Sequence, residues 1–292
     1  SYSNYPEKVF SDLEKSIDLI YPMYFEILIT PIRFLNLNLI DKEISKEMIV
    51  NKSESSYNLS DNKIIKFIKE NQMLKKEFMN YDLDINSIND DIKIWYKSLL
   101  KNDEIIKYQN QIEPDFENDL KIFNYISLNF IFKNEEINKH FSEKDLFWNE
   151  DKPILKSMIK KTLNSLNSIK LDKFAIADLS NDLSDDKSFA KNLFEGVLDG
   201  NKIFDSLISD NCQNWDIERI STIDRILLKM GICEFLYFHN IPIKVTINEY
   251  IDIAKKYSTP KSKNFVNGVL DILSKKMIDK IKKTGKGLID NK

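Results

Sequence analysis

The chain has 292 residues, of which 42% are hydrophobic and 30% are charged, and its formal net charge is −3. This balance is ordinary for a soluble globular protein, and two cysteines in a chain of this length exclude a disulfide-rich scaffold. Glycine and proline are scarce, with six and seven residues. Because helix interiors tolerate neither residue while β-rich folds need them at many turns, the composition predicts an all-α fold.

Up to about residue 171, apolar residues recur at spacings of three and four, which predicts helices with one buried face. We expect these stripes to form a hydrophobic core rather than a cofactor site. No apolar run approaches the roughly 20 residues of a membrane span, and the polar residues 134–139 are typical of a connection. The predicted helices cover residues 10–40, 61–79, 85–100, 115–132 and 152–168.

A largely polar stretch at residues 172–187 predicts a connector to a second helical region. Two short helices are expected within residues 188–210 of that region. Asp216 can cap the helix that follows, since its side chain can accept hydrogen bonds from free N–H groups. The buried stripe of that helix would be Ile220, Ile223, Leu227 and Met230.

The last two predicted helices follow a break at Pro242, which lacks the N–H that a helix interior needs. Thr246 and Glu249 have the spacing of a capping box at the start of the first of them. Gly268 lies inside the second, where glycine costs about 1 kcal/mol relative to alanine. We therefore expect a close helix–helix approach at Gly268.

The charge of the chain is unevenly distributed. Residues 255–292 contain eleven lysines and three acidic residues, a local balance of +8, so the remainder carries −11. Lysines neutralise phosphates and release counterions, which favours a nucleic-acid partner for this end of the chain. The alternative is a solvated helix face with a frayed tail.

Several blocks of the C-terminal region together resemble the C-terminal half of the NusB family of transcription antitermination proteins. The blocks are residues 214–219 (NWDIER), 224–228 (DRILL) with Glu234, 241–249 (IPIKVTINE), 254–255 (AK) and 265–271 (FVNGVLD). Their order, spacing and residue types all match. The preceding sequence resembles the extension of long family members. We therefore expect a helical extension over residues 1–175 and a NusB-like domain over residues 176–292.

The resemblance implies an all-helical protein of two packed bundles, without catalysis or a cofactor. Members of the family pair with NusE, a small-subunit ribosomal protein, and the pair binds the single-stranded boxA element of nascent RNA. The pair helps the RNA polymerase antitermination complex to read through termination signals, particularly in ribosomal RNA operons, and assists ribosomal RNA maturation.

The resemblance also implies a surface for NusE on the helix after Trp215. Glu218, Asp224 and Lys229 fall where the family places polar contacts to this partner. An ordinary solvated helix face would show the same residue types, so both interpretations stay open.

The resemblance places the RNA-binding surface of the family on a turn and the start of the next helix, residues 257–265. Lys261 and Lys263 can pair with phosphates, and Ser262 can donate to a phosphate or a base edge. Tyr257 and Phe265 can stack on unpaired bases. Phe265 could equally belong to the core.

Short members of the family begin with an arginine-rich helix that binds RNA, and this sequence contains no such stretch. Its first residues correspond to the end of that helix, so Tyr2 is the remaining candidate contact on that surface. Either an arm precedes these residues in the natural protein, or RNA binding depends more on the C-terminal lysines.

The sequence offers no spacing that predicts catalysis or metal binding. His140 and His239 stand alone, and residues 285–287 (GKG) lack the spacer of a phosphate loop. We therefore expect no enzyme, no metal and no cofactor, in a cytoplasmic protein that has no membrane partner and no secretory signal. Two alternatives stay open, a protein-binding helical scaffold without RNA binding and an accessory domain of an RNA methyltransferase.

Overall fold

A computed structural model describes residues 5–47, 57–166, 173–211 and 220–277. All regular secondary structure in these ranges is helical, which confirms the predicted all-α fold. The chain divides into two compact units, Ser1–Asn181 (unit 1) and Asp182–Lys292 (unit 2), each with its own hydrophobic core. The expected boundary at residue 175 lies six residues before this division.

Unit 1 is built on its first helix, α1 (Tyr5–Glu47), which is 43 residues long and includes Pro22 and Pro31. Each proline removes one backbone hydrogen bond from the helix. Ile27 and Leu28, between the two prolines, have no exposed surface. Burial of this segment therefore stabilises the helix where its own hydrogen bonds are incomplete.

The stretch Pro6–Ser45 of α1 is long and apolar enough to cross a membrane by length and composition. This corrects the expectation that no apolar run approaches such a length. In the structure, 83% of its most apolar window is buried inside the protein. A buried core helix passes the same test of length and composition, so the core of unit 1 accounts for the apolar character of α1.

The other helices of unit 1 share one hydrophobic core with α1, and α2, α4 and α9 contact it directly. A π-helical stretch, Tyr125–Phe130, joins α6 to α7. These helices are α2 (Lys63–Glu70), α3 (Gln72–Asn80), α4 (Asp90–Leu100), α5 (Asp103–Gln109), α6 (Phe116–Asn124), α7 (Ile131–Lys133), α8 (Glu135–Lys144) and α9 (Trp148–Asn164).

Asparagine N-caps explain why several helix boundaries in unit 1 differ from the prediction. The predicted helix over residues 61–79 is divided at Asn71, whose side chain accepts a hydrogen bond from an N–H of α3. Asn89 caps α4 in the same way, so that helix begins later than expected. The connection predicted at residues 134–139 is wrong, because Asn134 caps α8 and the following residues belong to that helix.

Unit 2 has a core to which all of its described helices contribute. They are α10 (Leu183–Asp199), α11 (Asn201–Asn211), α12 (Thr222–Tyr237), α13 (Ile243–Tyr257) and α14 (Ser262–Lys276). Helix α10 begins inside the predicted connector, because Asp182 accepts hydrogen bonds from the N–H groups of Ser184 and Asp185. The last three helices pack closely against one another.

The start of α12 differs from the prediction. Ser221 is its N-cap and accepts a hydrogen bond from the Asp224 N–H at 3.0 Å. The predicted cap, Asp216, lies outside the described residues. Ile223 was placed in the buried stripe, but it is 40% exposed.

The capping box predicted at Thr246 and Glu249 is wrong, because α13 already begins at Ile243. The N–H groups of Val245 and Thr246 donate to the Pro242 carbonyl at 2.9 and 3.1 Å. The helix therefore starts immediately after Pro242, and Thr246 is buried within its first turn.

Gly231 of α12 and Gly268 of α14 lie in contrasting environments. A Cβ added to Gly231 would lie 2.7 Å from Cδ2 and 3.1 Å from Cδ1 of Leu270, a fully buried side chain. A Cβ added to Gly268 would meet no atom within 4 Å. The close helix–helix approach predicted at Gly268 is therefore wrong, and it is Gly231 that allows α12 and α14 to approach.

Alanine substitutions at these two glycines should have opposite effects. Gly268→Ala should stabilise unit 2 by up to about 1 kcal/mol, because alanine is the better helix former and the position is open. Gly231→Ala gains the same helix propensity but displaces Leu270, and overpacking costs about 1–3 kcal/mol. Urea unfolding should therefore separate the two variants by about 1–3 kcal/mol, and equal stabilities would contradict the close contact.

Candidate nucleic-acid interface

The predicted RNA-binding residues lie around the turn between α13 and α14. Helix α13 ends at Tyr257 and α14 begins at Ser262, so residues 258–261 form what we call the α13–α14 turn. Tyr2, the remaining predicted RNA contact, lies outside the described residues. The structure separates the other predicted contacts into buried and exposed side chains.

Ser262 is buried, with 2% of its surface exposed, and its hydroxyl is the centre of a hydrogen-bonded group. It donates to Asp224 Oδ2 at 2.7 Å and lies 2.8 Å from Thr259 Oγ1 and 2.9 Å from Ser258 Oγ. Ser258 Oγ lies 3.1 Å from the hydroxyl of Ser221, the N-cap of α12. These contacts correct the expectation that Ser262 donates to RNA, because its hydroxyl is buried and already bonded.

Phe265 is buried too, with 6% of its surface exposed. It belongs to the core of unit 2 together with Val266, Val269 and Leu270. Phe265 is therefore a core residue and is not available to stack on a base. This is the alternative that the sequence left open.

The side chains of Tyr257, Lys261 and Lys263, in the α13–α14 turn or next to it, are exposed. Tyr257 is 42% exposed, and Lys256 Nζ lies 4.8 Å from the centre of its ring. Neither Lys261 nor Lys263 forms an ion pair with any residue that the structure describes. The side chains left for RNA are thus two lysines and one aromatic ring.

Both of these lysines stand at the start of α14. Lys261 occupies the N-cap position and makes no side-chain capping hydrogen bond, and the first turn contains no acidic residue. A helix N-terminus carries about half a unit of positive charge, so Lys261 and Lys263 add to this charge instead of offsetting it. Concentrated positive charge of this kind is suited to bind an anion such as a phosphate.

Two of the three residues expected to contact NusE face the interior of unit 2. Asp224 is 5% exposed and accepts the hydrogen bond from Ser262. Lys229 is 8% exposed, and its Nζ lies 2.9 Å from Asp205 Oδ1. Glu218 lies outside the described residues. Asp224 and Lys229 were expected to contact NusE directly. The structure corrects this expectation, because their polar groups bond to other residues of unit 2.

Asp205 of α11 binds two cations of α12. Arg225 Nε donates to Asp205 Oδ1 at 2.7 Å, and Lys229 bonds both to Asp205 and to Asn201. Burial alone would raise the pKa of Asp205, but hydrogen bonds from Arg225 and Lys229 lower that pKa below its usual value. The carboxylate therefore stays charged and links α11 to α12.

The exposed side of α12 carries residues that sequence reasoning missed. Ile223 and Ile226 are 40% and 47% exposed, and the Arg225 side chain between them is 47% exposed. Ile223 and Ile226 are three residues apart, as are the buried Asp224 and Leu227. Because both pairs have helical spacing, periodicity alone does not tell which of them faces the solvent.

The described residues show no constellation for metal or thiol chemistry. No group of three or more His, Cys, Asp or Glu side chains within them could hold a metal ion. Burial raises the pKa of the Cys233 thiol to about 12, so this thiol stays protonated and is a poor nucleophile. Cys212 lies outside the described residues.

Residues 136–275 match the model of the NusB family. The match begins within unit 1, at the second residue of α8, and ends within α14. It therefore covers α9, the helices α10 to α13, the α13–α14 turn and α14 up to residue 275.

Curated relatives of this region are transcription antitermination proteins NusB. The protein of Thermodesulfovibrio yellowstonii is 44% identical over 108 residues, which is 37% of this chain and 72% of that protein. The protein of Salinibacter ruber is 45% identical over 105 residues, covering 35% and 66%. A solved structure of T. maritima NusB is 33% identical and covers 42% of this chain and 85% of its own, with a TM-score of 0.31.

Replacing the carboxylate that joins α11 to α12 should change the acid stability of unit 2. Asp205→Asn should lower the free energy of unfolding at pH 7 by about 2 kcal/mol, because Lys229 loses a charged partner while buried. The folded pKa of Asp205 lies below its unfolded value of about 3.9. Its contribution is therefore complete above the unfolded pKa and is lost as the pH falls through the folded one.

Urea unfolding from pH 7 down to pH 2 checks this expectation. The difference in the free energy of unfolding between the unmodified chain and Asp205→Asn should become smaller once the pH falls below about 4. Asp210→Asn, at an exposed position of α11 with no ion pair among the described residues, is the matched control. A deficit of the same size at every pH would show that the charge of Asp205 does not contribute.

Proposed function

This chain belongs to the NusB family of transcription antitermination proteins, and from that premise we propose that it binds boxA-type single-stranded RNA together with NusE. In this role it acts in the cytoplasm with the RNA polymerase antitermination complex and supports the transcription and maturation of ribosomal RNA. The family consists of non-catalytic transcription factors, and we propose no enzymatic activity for this chain.

The observation that supports RNA binding is the positive charge at the start of α14. A cation at a helix N-terminus is unfavourable by about 0.3–1 kcal/mol, so folding does not explain why Lys261 and Lys263 both stand there. A bound phosphate would turn this repulsion into attraction. Tyr257 lies at the other end of the same turn, and an unpaired base stacked on its ring contributes about 1–3 kcal/mol.

For NusE we propose the exposed side of α12. Ile223 and Ile226 present apolar surface of the kind that a protein partner covers. Arg225, between them, belongs to a residue type enriched at interfaces. Glu218 remains part of this proposal through the family resemblance, whereas Asp224 and Lys229 support the surface from inside.

A protein-binding role without RNA is the second candidate. It is favoured by the net charge of −3 and by the burial of Ser262 and Phe265, which makes the candidate RNA surface smaller than expected. Under this candidate NusE binds the chain, but the pair has no preference for boxA.

Fluorescence anisotropy distinguishes these candidates. Labelled boxA RNA and a scrambled RNA of the same composition are titrated with the chain alone and with NusE present. The proposed function predicts tighter binding of boxA than of the scramble by the pair, and a linear fall of log affinity with log salt concentration. Binding of NusE without a preference for boxA favours the scaffold, and binding of neither partner contradicts both candidates.

Lys261→Glu should weaken RNA binding without unfolding unit 2. Loss of one phosphate contact reduces the slope of log affinity against log salt by about 0.7 for a single strand. The melting temperature should stay the same or rise, because an acidic residue suits a helix N-terminus. Lys202→Glu, at an exposed position of α11, is the matched control. A lowered melting temperature with unchanged RNA affinity would refute the role of Lys261.

A further inference from the structure

A second concentration of lysines lies in unit 1, on α9. Lys152, Lys156 and Lys160, which we call the α9 lysine row, follow one another at intervals of four residues. They therefore lie along one side of the helix, about 6 Å apart along its axis. Lys156 and Lys160 are exposed and Lys152 is half-buried. The sequence from residue 152 to residue 171 contains five lysines and no acidic residue.

The α9 lysine row lacks the acidic partners that several lysines of other helices have. Lys93, Lys107 and Lys255 each pair with a carboxylate three residues earlier, at 2.6–3.2 Å. No carboxylate in the described ranges pairs with the row, and the acidic residues of α9, Glu150 and Asp151, both precede it. Each lysine of the row is instead four residues from another lysine, an arrangement that destabilises a helix. Folding alone therefore does not account for the row.

Aromatic rings position two of the ammonium groups. Trp148 stacks between Phe132 and Phe141, with ring centroids 5.6 and 4.4 Å away. Lys152 Nζ lies 5.4 Å from the centre of the Trp148 ring, and Lys156 Nζ lies 4.8 Å from that of Phe132. The rings attract both cations but supply no countercharge. Burial and the charge of Lys156 accordingly lower the pKa of Lys152.

We propose that the α9 lysine row binds successive phosphates of single-stranded RNA and forms an RNA contact in unit 1. Evenly spaced cations without counterions suit a chain of evenly spaced anions, and binding releases the counterions of that chain. Phe147, at the N-cap position of α9, is 46% exposed and can stack on an unpaired base. Lysine–phosphate contacts carry no sequence information, so this surface adds affinity for any RNA.

The inference rests on the proposed RNA-binding function, and its test separates the two. The full-length triple variant Lys152→Gln, Lys156→Gln and Lys160→Gln removes the charges but keeps good helix formers. Its affinity for boxA and for scrambled RNA is measured by anisotropy with NusE present, between 50 and 200 mM salt. The triple variant Lys66→Gln, Lys76→Gln and Lys97→Gln, at exposed positions of unit 1, is the matched control.

The triple variant of the row should bind both RNAs more weakly by the same factor, so that the preference for boxA is unchanged. The slope of its log affinity against log salt should be smaller in magnitude by about 2, because each lost phosphate contact contributes about 0.7. The factor by which affinity falls between 50 and 200 mM salt should therefore be about twentyfold smaller than for the unmodified chain. The control variant should keep the slope of the unmodified chain. The melting temperature of the row variant should change little, because the repulsion removed within α9 offsets the loss of the cation–ring contacts at Trp148 and Phe132.

Other outcomes overturn the inference. If the row variant binds RNA like the unmodified chain, or if the control loses as much affinity, the α9 site is refuted while the proposed function stands. If the unmodified chain binds neither RNA, both are refuted. Should the triple variant unfold, the double variant Lys156→Gln and Lys160→Gln leaves Lys152 on Trp148, and its slope should fall by about 1.4.

Discussion

The hydrogen bond from Ser262 Oγ to Asp224 Oδ2, 2.7 Å long, joins the start of α14 to the start of α12. Burying a carboxylate without a hydrogen bond is costly, and Ser262 supplies one to Oδ2. Asp224 also lies in the first turn of its helix, where a negative charge is favoured. Because Ser262 is fixed toward the interior, its neighbours Lys261 and Lys263 project to the solvent. One buried contact thus determines which side of the α13–α14 turn carries positive charge.

Helix α12 is central to unit 2, and small residues allow its neighbours to come close. Gly231 accommodates Leu270 of α14, and a Cβ on Gly196 of α10 would lie 2.7 Å from Cys233 Sγ of α12. The polar residues of α12 that resemble family contacts, Asp224 and Lys229, serve this packing through Ser262 and Asp205. Recognition is then left to side chains on the outer side of the same helix and at the start of α14.

The helical fold, the break at Pro242 before α13 and the basic end of the chain could be predicted from composition, spacing and charge. The inward or outward direction of single side chains could not. Phe265 and Ser262 stand among lysines in a motif of the family, and a motif of this kind combines residues for packing with residues for binding. Likewise, a glycine in a helix indicates a close approach only when a neighbouring side chain such as Leu270 faces it. Gly268 has no such neighbour.

Asparagine was the other source of error. It can cap a helix, continue one or lie in a connection, and the sequence alone did not show that Asn71, Asn89 and Asn134 each accept an N–H of the helix that follows. Asp182 and Ser221 do the same in unit 2. Each cap depends on a backbone geometry that the flanking helices impose through their packing. Helix type was therefore easier to predict than helix boundaries.

The most direct test of this account is a double-mutant cycle of Asp224→Ala and Ser262→Ala, read by the affinity of the chain and NusE for boxA RNA at a temperature where every variant is folded. We expect each single variant to weaken RNA binding although both side chains are buried. The double variant should bind RNA no more weakly than either single variant, because both changes break the same contact. Unchanged affinity in the single variants, or losses that simply add, would show that the α13–α14 turn does not depend on this hydrogen bond.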